Sequence, residues 1–203
     1  MIRGTVIPWQ DGDSADADVI VEVRNISTSS IDVAADFQDF AIDVRQGEPF
    51  ATGSLTGLFP YEIAPGAIGY LTANVMTIGT VDASTAFRLT TTTKFVKATT
   101  RDIVVMVAGA TNKPLSGANT GASTSGTVTN TSRIVVEEVA VGAFYYDGSG
   151  NLLGYSQGGP SNLGPGKTKP FVTAINSPPL DFAAIQRTVV IAESFCRSGP
   201  CLP

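Results

Sequence analysis

Val21-Glu22-Val23-Arg24-Asn25-Ile26-Ser27 is echoed by Gly126-Thr127-Val128-Thr129-Asn130-Thr131-Ser132, and Ile63-Ala64-Pro65-Gly66 is echoed by Leu163-Gly164-Pro165-Gly166. Self-similarity at this period is the mark of tandem domains. A strand ending in Asn-x-Ser, with a Pro-Gly turn a few dozen residues later, suits a β-sandwich of roughly 100 residues. The fold class expected is therefore all-β, with two tandem β-sandwich domains at 1–98 and 99–203 and a boundary near Ala98-Thr99-Thr100.

Hydrophobic periodicity supports strands almost throughout. From Asp18 to Asn25, Val19, Val21 and Val23 fall on one face and Asp18, Glu22 and Arg24 on the other, the period of two of a half-buried strand. Glu138 to Tyr146 repeats the pattern with Val139, Val141, Ala143 and Tyr145. Runs such as Thr188-Val189-Val190-Ile191 and Ile103-Val104-Val105-Met106-Val107 carry the β-branched residues that pack well on a pleated surface. No run has a convincing helical period; Leu180 to Ile185, after Pro178-Pro179, suits one short turn. Thr111 to Gly126, rich in Ala, Ser, Thr and Gly, reads as the longest loop. Pro65-Gly66 and Pro165-Gly166 suit type II turns, and Asp147-Gly148-Ser149-Gly150-Asn151 suits a hairpin turn. Asn25 and Asn130 head Asn-x-Ser sequons, open to glycosylation, but their matched places in the repeat favour an Asn that caps a turn at a strand end.

Charge is sparse, at 15% of residues, and unevenly spread. Residues 1–98 hold twelve Asp and Glu against six Lys and Arg; residues 99–203 hold six against seven. An acidic half and no basic cluster argue against nucleic acid as a partner. No apolar run is long enough for a transmembrane segment, and the first residues lack the apolar core of a secretory signal. The two cysteines, Cys196 and Cys201, flank a Gly-Pro and are spaced to close a small disulfide ring in an oxidising compartment. With a low-charge, Thr- and Ser-rich composition, this points to a secreted or cell-surface setting.

Chemistry has few places to reside. Without histidine there is no Ser-His-Asp or Cys-His arrangement, and Glu137-Glu138 would point to opposite faces of a strand. No enzyme activity and no cofactor are expected. The acidic run containing Asp11, Asp13, Asp16 and Asp18 is a candidate calcium site, because hard cations take several carboxylate oxygens from one loop. It departs from the EF-hand spacing at Ala15 and Asp16, and a solvated acidic loop between two strands is the plainer alternative. Trp9, Phe59, Tyr61, Tyr70 and Tyr155 lie near turns as candidate partner contacts, with core packing as the alternative.

The second half resembles the FxLYD-type immunoglobulin-like domain of bacterial and archaeal envelope proteins. The residues that carry the resemblance are Val128-Thr129-Asn130-Thr131-Ser132, Ala143-Phe144-Tyr145-Tyr146-Asp147, Gly150-Asn151-Leu152-Leu153-Gly154 and Leu163-Gly164-Pro165-Gly166. Tyr146 and Asp147 match the pattern, whereas Ala143 and Tyr145 stand in place of its Phe and Leu. The first half is a looser copy through Asn25-Ile26-Ser27, Phe40-Ala41-Ile42-Asp43 and Pro65-Gly66. The resemblance implies two immunoglobulin-like β-sandwiches in an envelope setting and names no activity. A tandem module that meets a protein or glycan at the cell surface is the expected function. The alternative is a self-assembling subunit of a filament, pilus-like fibre or virion shell, with Ile2 to Trp9 as a strand for exchange between copies.

Overall fold

The computed structural model describes residues 2–11, 14–33, 39–44, 49–54, 57–77, 87–91, 94–98, 105–115, 121–174, 180–196 and 199–200. Among these the chain is all-β and antiparallel, and its one helical element is a short 3-10 turn at Phe182–Ala184. It divides into two compact units, Met1–Thr99 and Thr100–Pro203.

The first unit holds β1 (Ile2–Asp11), β2 (Ser14–Arg24), β3 (Ile31–Val33), β4 (Asp39–Val44), β5 (Pro49–Ser54), β6 (Gly57–Phe59), β7 (Glu62–Ile63), β8 (Ile68–Thr77), β9 (Phe87–Thr91) and β10 (Phe95–Lys97). They form three sheets, ordered β1-β2-β8-β6, β10-β3-β7 and β5-β4-β9. The alternation of β2 sends Ala17, Val19, Val21 and Val23 into a core with Ile63, Leu71 and Ala73. Burying each Val or Leu side chain contributes about 1.5–3 kcal/mol, so this stripe fixes the register of β2 against its neighbours. The opposite face is only partly the solvated one expected: Arg24 is exposed, whereas Asp18 and Ile20 are fully buried.

The second unit holds β11 (Val105–Pro114), β12 (Ala122–Asn130), β13 (Val136–Tyr146), β14 (Leu152–Gly158), β15 (Ser161–Leu163), β16 (Thr168–Val172), β17 (Arg187–Cys196) and β18 (Gly199–Pro200). One sheet runs β11-β12-β16; the other runs β14-β13-β17-β18, with β15 also on β13. Val105, Val128 and Phe171 of the first sheet meet Val136, Val139, Val141 and Leu163 of the second in a shared core. Tyr145 and Ala143 continue it, with Ala122 and Leu180.

Two expectations need correction. Thr111 to Gly126 is not one long loop, because Thr111 to Pro114 pair with Ser125 to Ala122 and only a short connection remains. The acidic run is not a loop either. Asp11 pairs with Ser14, which makes a tight hairpin, and Asp16 and Asp18 lie inside β2 opposite Trp9 and Ile7.

Candidate functional site

The sequence repeat becomes a repeated hydrogen-bond knot. At the end of β2, Asn25 Nδ2 donates to the carbonyls of Ser29 and Ile63, both at 2.8 Å. Its Oδ1 accepts from the Ser27 amide at 2.9 Å and the Ser27 hydroxyl at 2.7 Å, an Asx turn reinforced by the serine. At the end of β12, Asn130 Nδ2 donates to Ile134 O at 2.7 Å and Leu163 O at 2.8 Å. Its Oδ1 accepts from the Ser132 amide at 2.9 Å and hydroxyl at 2.7 Å.

The Pro-Gly turns close both knots from the far side. Gly66 N donates to Asn25 O at 2.8 Å and Gly166 N to Asn130 O at 2.9 Å. In each turn the glycine sits at positive φ, +78° and +66°, and the fourth residue donates back to the first. That is the type II geometry expected of Pro-Gly. Asn25 is 1% exposed and Asn130 fully buried, with both amide groups engaged, so in the folded chain these asparagines are turn caps and neither sequon is open to modification.

A chain of side-chain hydrogen bonds crosses the interior of the second unit. Asn112 Nδ2 donates to Thr188 Oγ1 at 2.7 Å, and its Oδ1 accepts from Thr124 Oγ1 at 2.9 Å. That spends the one proton of Thr124, so Tyr145 Oη must donate to Thr124 at 2.9 Å. By the same logic Ser156 donates to Tyr145 at 2.6 Å, and Thr173, whose hydroxyl also lies 3.3 Å from the Thr124 carbonyl, gives its one proton to Ser156 at the shorter distance of 2.6 Å. The Thr124 amide donates in turn to Thr173 Oγ1 at 3.0 Å. The whole chain points one way, from Thr173 to Thr188. Its members come from both sheets, so the chain ties the two layers through a core that would otherwise hold unpaired hydroxyls. Tyr145→Phe removes the central link and leaves Thr124 and Ser156 each short of a partner; unfolding in urea should show a loss of about 2 kcal/mol.

Where this chain reaches the surface, a cleft of about 170 Å³ opens beside Asn112 and Thr188, with Ala110, Ile185 and Val190 in its walls. It is well below the ~300 Å³ at which small-molecule sites begin. Next to it, the Arg187 guanidinium stacks over the Tyr146 ring, 4.0 Å from its centroid.

Asp147 builds the hairpin turn between β13 and β14. Its Oδ1 accepts from the amides of Ser149 at 2.9 Å and Asn151 at 2.7 Å, and Oδ2 accepts from Asn151 Nδ2 at 2.9 Å. These bonds, Asn151's side chain foremost, hold its carboxyl below the ordinary value of 3.8. A carboxyl with a depressed folded value stabilises the fold above its unfolded value, and that contribution is lost as pH falls through the folded one. The stability difference between the native chain and Asp147→Asn should therefore shrink below pH 3.8. Paired urea titrations at neutral and acid pH check it.

The residues singled out from sequence are scattered. Phe59 and Tyr70 are buried, 4% and 1% exposed, and face each other across β6 and β8, which removes them as surface contacts. Tyr61 is half-buried and packs on the first core. Tyr155 is half-buried and stacks on Phe144 with ring centroids 6.0 Å apart. Trp9 lies in β1, and its side chain is outside the described residues. Of the acidic run, Asp13 is outside the described residues, as are the side chains of Asp11 and Asp16. Asp18 is buried within the sheet. Among the described residues no group of three His, Cys, Asp or Glu side chains gathers as a metal site. Cys196 ends β17, where the chain folds back so that Cys196 faces Gly199, and Cys201 lies outside the described residues. The pairing is testable directly: intact mass should rise by two hydrogens on reduction, and an unchanged mass removes the disulfide.

Sequence reasoning missed the Asn112 to Thr173 chain. Its partners are as many as 76 residues apart, and apart from Tyr145 its hydroxyls sit at positions that apolar periodicity does not mark. Among the described residues no helix is long and apolar enough to cross a membrane. No protein-family model matches this chain, and no curated protein sequence matches it significantly.

Proposed function

We propose that this chain is a non-catalytic protein of the cell surface or the secreted fraction, in which two immunoglobulin-like modules of FxLYD type present their faces to a protein or glycan partner. The observation that carries this reading is the repeated knot: Asn25 and Asn130 make the same bonds to the same places in two units. What repeats is scaffold, down to the serine hydroxyl, and a duplicated scaffold suits a molecule that works through the surfaces it holds in place. Thr124, Tyr145, Ser156 and Thr173, buried in the second unit, are engaged with one another, which fits a supporting role.

Self-assembly is the second reading, favoured by β1. This ten-residue strand is outermost in its sheet, and among the described residues no strand pairs with its other edge. Light scattering coupled to size exclusion, with negative-stain microscopy of the same sample, separates the two. A monomer that binds in protein or glycan screens supports the first; rings or fibres overturn it in favour of the second.

A further inference from the structure

The outer face of β11-β12-β16 is an uncharged, hydroxyl-rich platform. Strict alternation along β12 turns Ala122, Thr124, Val128 and Asn130 inward, which leaves Ser125, Thr127 and Thr129 on the outside. The register completes each row. Thr129 lies between Met106 and Thr168, Thr127 between Ala108 and Pro170, and Ser125 between Thr111 and Val172. None of these three rows holds a charged residue; the first charge comes one row further on, where Lys113 faces Ser123.

Two properties make this face more than ordinary surface. Met106 and Val172, at opposite corners, are 62% and 63% exposed, a high exposure for large apolar side chains. The hydroxyls are also held in place. Thr129 and Thr168 bond each other at 2.7 Å, Thr127 donates to Ala108 O at 3.3 Å, and Thr111 and Ser125 lie 3.4 Å apart. The Thr129–Thr168 and Thr111–Ser125 pairs each use one proton internally and keep the other for a ligand, whereas Thr127 spends its one proton on Ala108 O and keeps its lone pairs as acceptors, with the cost of ordering already met by the sheet.

The geometry points to a neutral polysaccharide as the occupant, an inference that rests on the binding-module reading above and names its ligand class. A charged polymer would find no counter-charge in these rows, whereas sugar hydroxyls can pair with the Thr and Ser hydroxyls and sugar C–H faces can lie on the Thr methyls, Pro170, Val172 and Met106. Area argues against a second copy of the chain. Three strands at ~4.8 Å spacing and three rows at ~6.8 Å give roughly 300 Å², far short of the ~800 Å² per partner of a stable dimer.

The test uses the full chain on insoluble cellulose and chitin, with carboxylated cellulose as the charged counterpart. Thr127→Lys places a charge at the centre of the face, Thr127→Val removes the hydroxyl at constant shape, and Thr127→Ser restores it. Thermal unfolding of each variant verifies that the exposed substitution leaves the fold intact. Retention of the native chain on a neutral polysaccharide, at least tenfold weaker for Thr127→Lys, reduced for Thr127→Val and preserved for Thr127→Ser, supports the proposal. Equal retention of Thr127→Lys, preference for the carboxylated polymer, or no retention on either neutral one overturns it. So does a concentration-dependent dimer that Thr127→Lys abolishes. Binding to a protein or acidic glycan that is indifferent to residue 127 removes this inference and leaves the module reading standing; a chain found only as fibres removes both.

Discussion

Asn130→Ala should cost the second unit about 4 kcal/mol. The side chain is fully buried and makes four hydrogen bonds, two as donor and two as acceptor. Truncation leaves the Leu163 carbonyl and the Ser132 amide without their partner, at about 1–3 kcal/mol for each buried group left unsatisfied. Asn130→Asp keeps the shape and both acceptor roles but turns an oxygen toward two carbonyls, so it should be no better at neutral pH. The repeat supplies the control: Asn25→Ala removes the same bonds from the first unit. Hydrogen exchange read by mass spectrometry on the full chain should show each variant losing protection chiefly in the unit that carries it. Uniform loss across both units would mean that the chain unfolds as one body.

Gly159→Ala should be at least as damaging, at about 4 kcal/mol or more, and carries a different lesson. The residue sits at φ +156° between β14 and β15, where an added Cβ would run into the carbonyl oxygen of Val139. The obstacle is backbone in the central strand of the sheet, so no rotamer change relieves it. Strain at such a φ costs about 1–3 kcal/mol and overpacking about 1–3 kcal/mol more. Two other glycines calibrate the measurement. Gly150 is at φ +80° with open space around it, so Gly150→Ala should cost only its backbone strain, about 1–2 kcal/mol. Gly154 has ordinary φ and no neighbour near its missing Cβ, so Gly154→Ala should change the urea midpoint little. If the three substitutions cost the same, the close approach at Gly159 is not what the position is kept for.

The all-β character was legible because strand signals and turn signals agreed. Val19, Val21 and Val23 announce a buried face, and Pro65-Gly66 and Pro165-Gly166 announce turns whose glycines do adopt positive φ. The caps at Asn25 and Asn130 were legible for a further reason: a side chain that bonds its own backbone two residues on needs only local sequence. What stayed hidden depended on partners far along the chain. The first half of β12, Ala122 to Gly126, reads as a loop because its inward set is small or polar. Thr124 is buried through hydrogen bonds to Asn112 and Tyr145, and a scale of hydrophobicity scores it as surface. Asp18 was misjudged from the other direction: alternation assigns it to a wet face, yet at Asp18 and Ile20 the second face of β2 is covered as well. Phe59 and Tyr70 look like exposed aromatics near a turn only until register puts them opposite each other.

The knots have a bearing on how such a chain can change. Each asparagine clasps a carbonyl well downstream, 38 residues on for Asn25 and 33 for Asn130, so it fixes the two ends of a segment and leaves the number of strands between them open. The two units already exploit that freedom. Between its clasped ends the first carries the strands β3 to β7, whereas the second carries the long β13, its hairpin partner β14 and the short β15. The clasp thus behaves as a mount for different sets of strands, provided that the enclosed strands keep the side chains that fill the core, as Val139, Val141 and Tyr145 of β13 do.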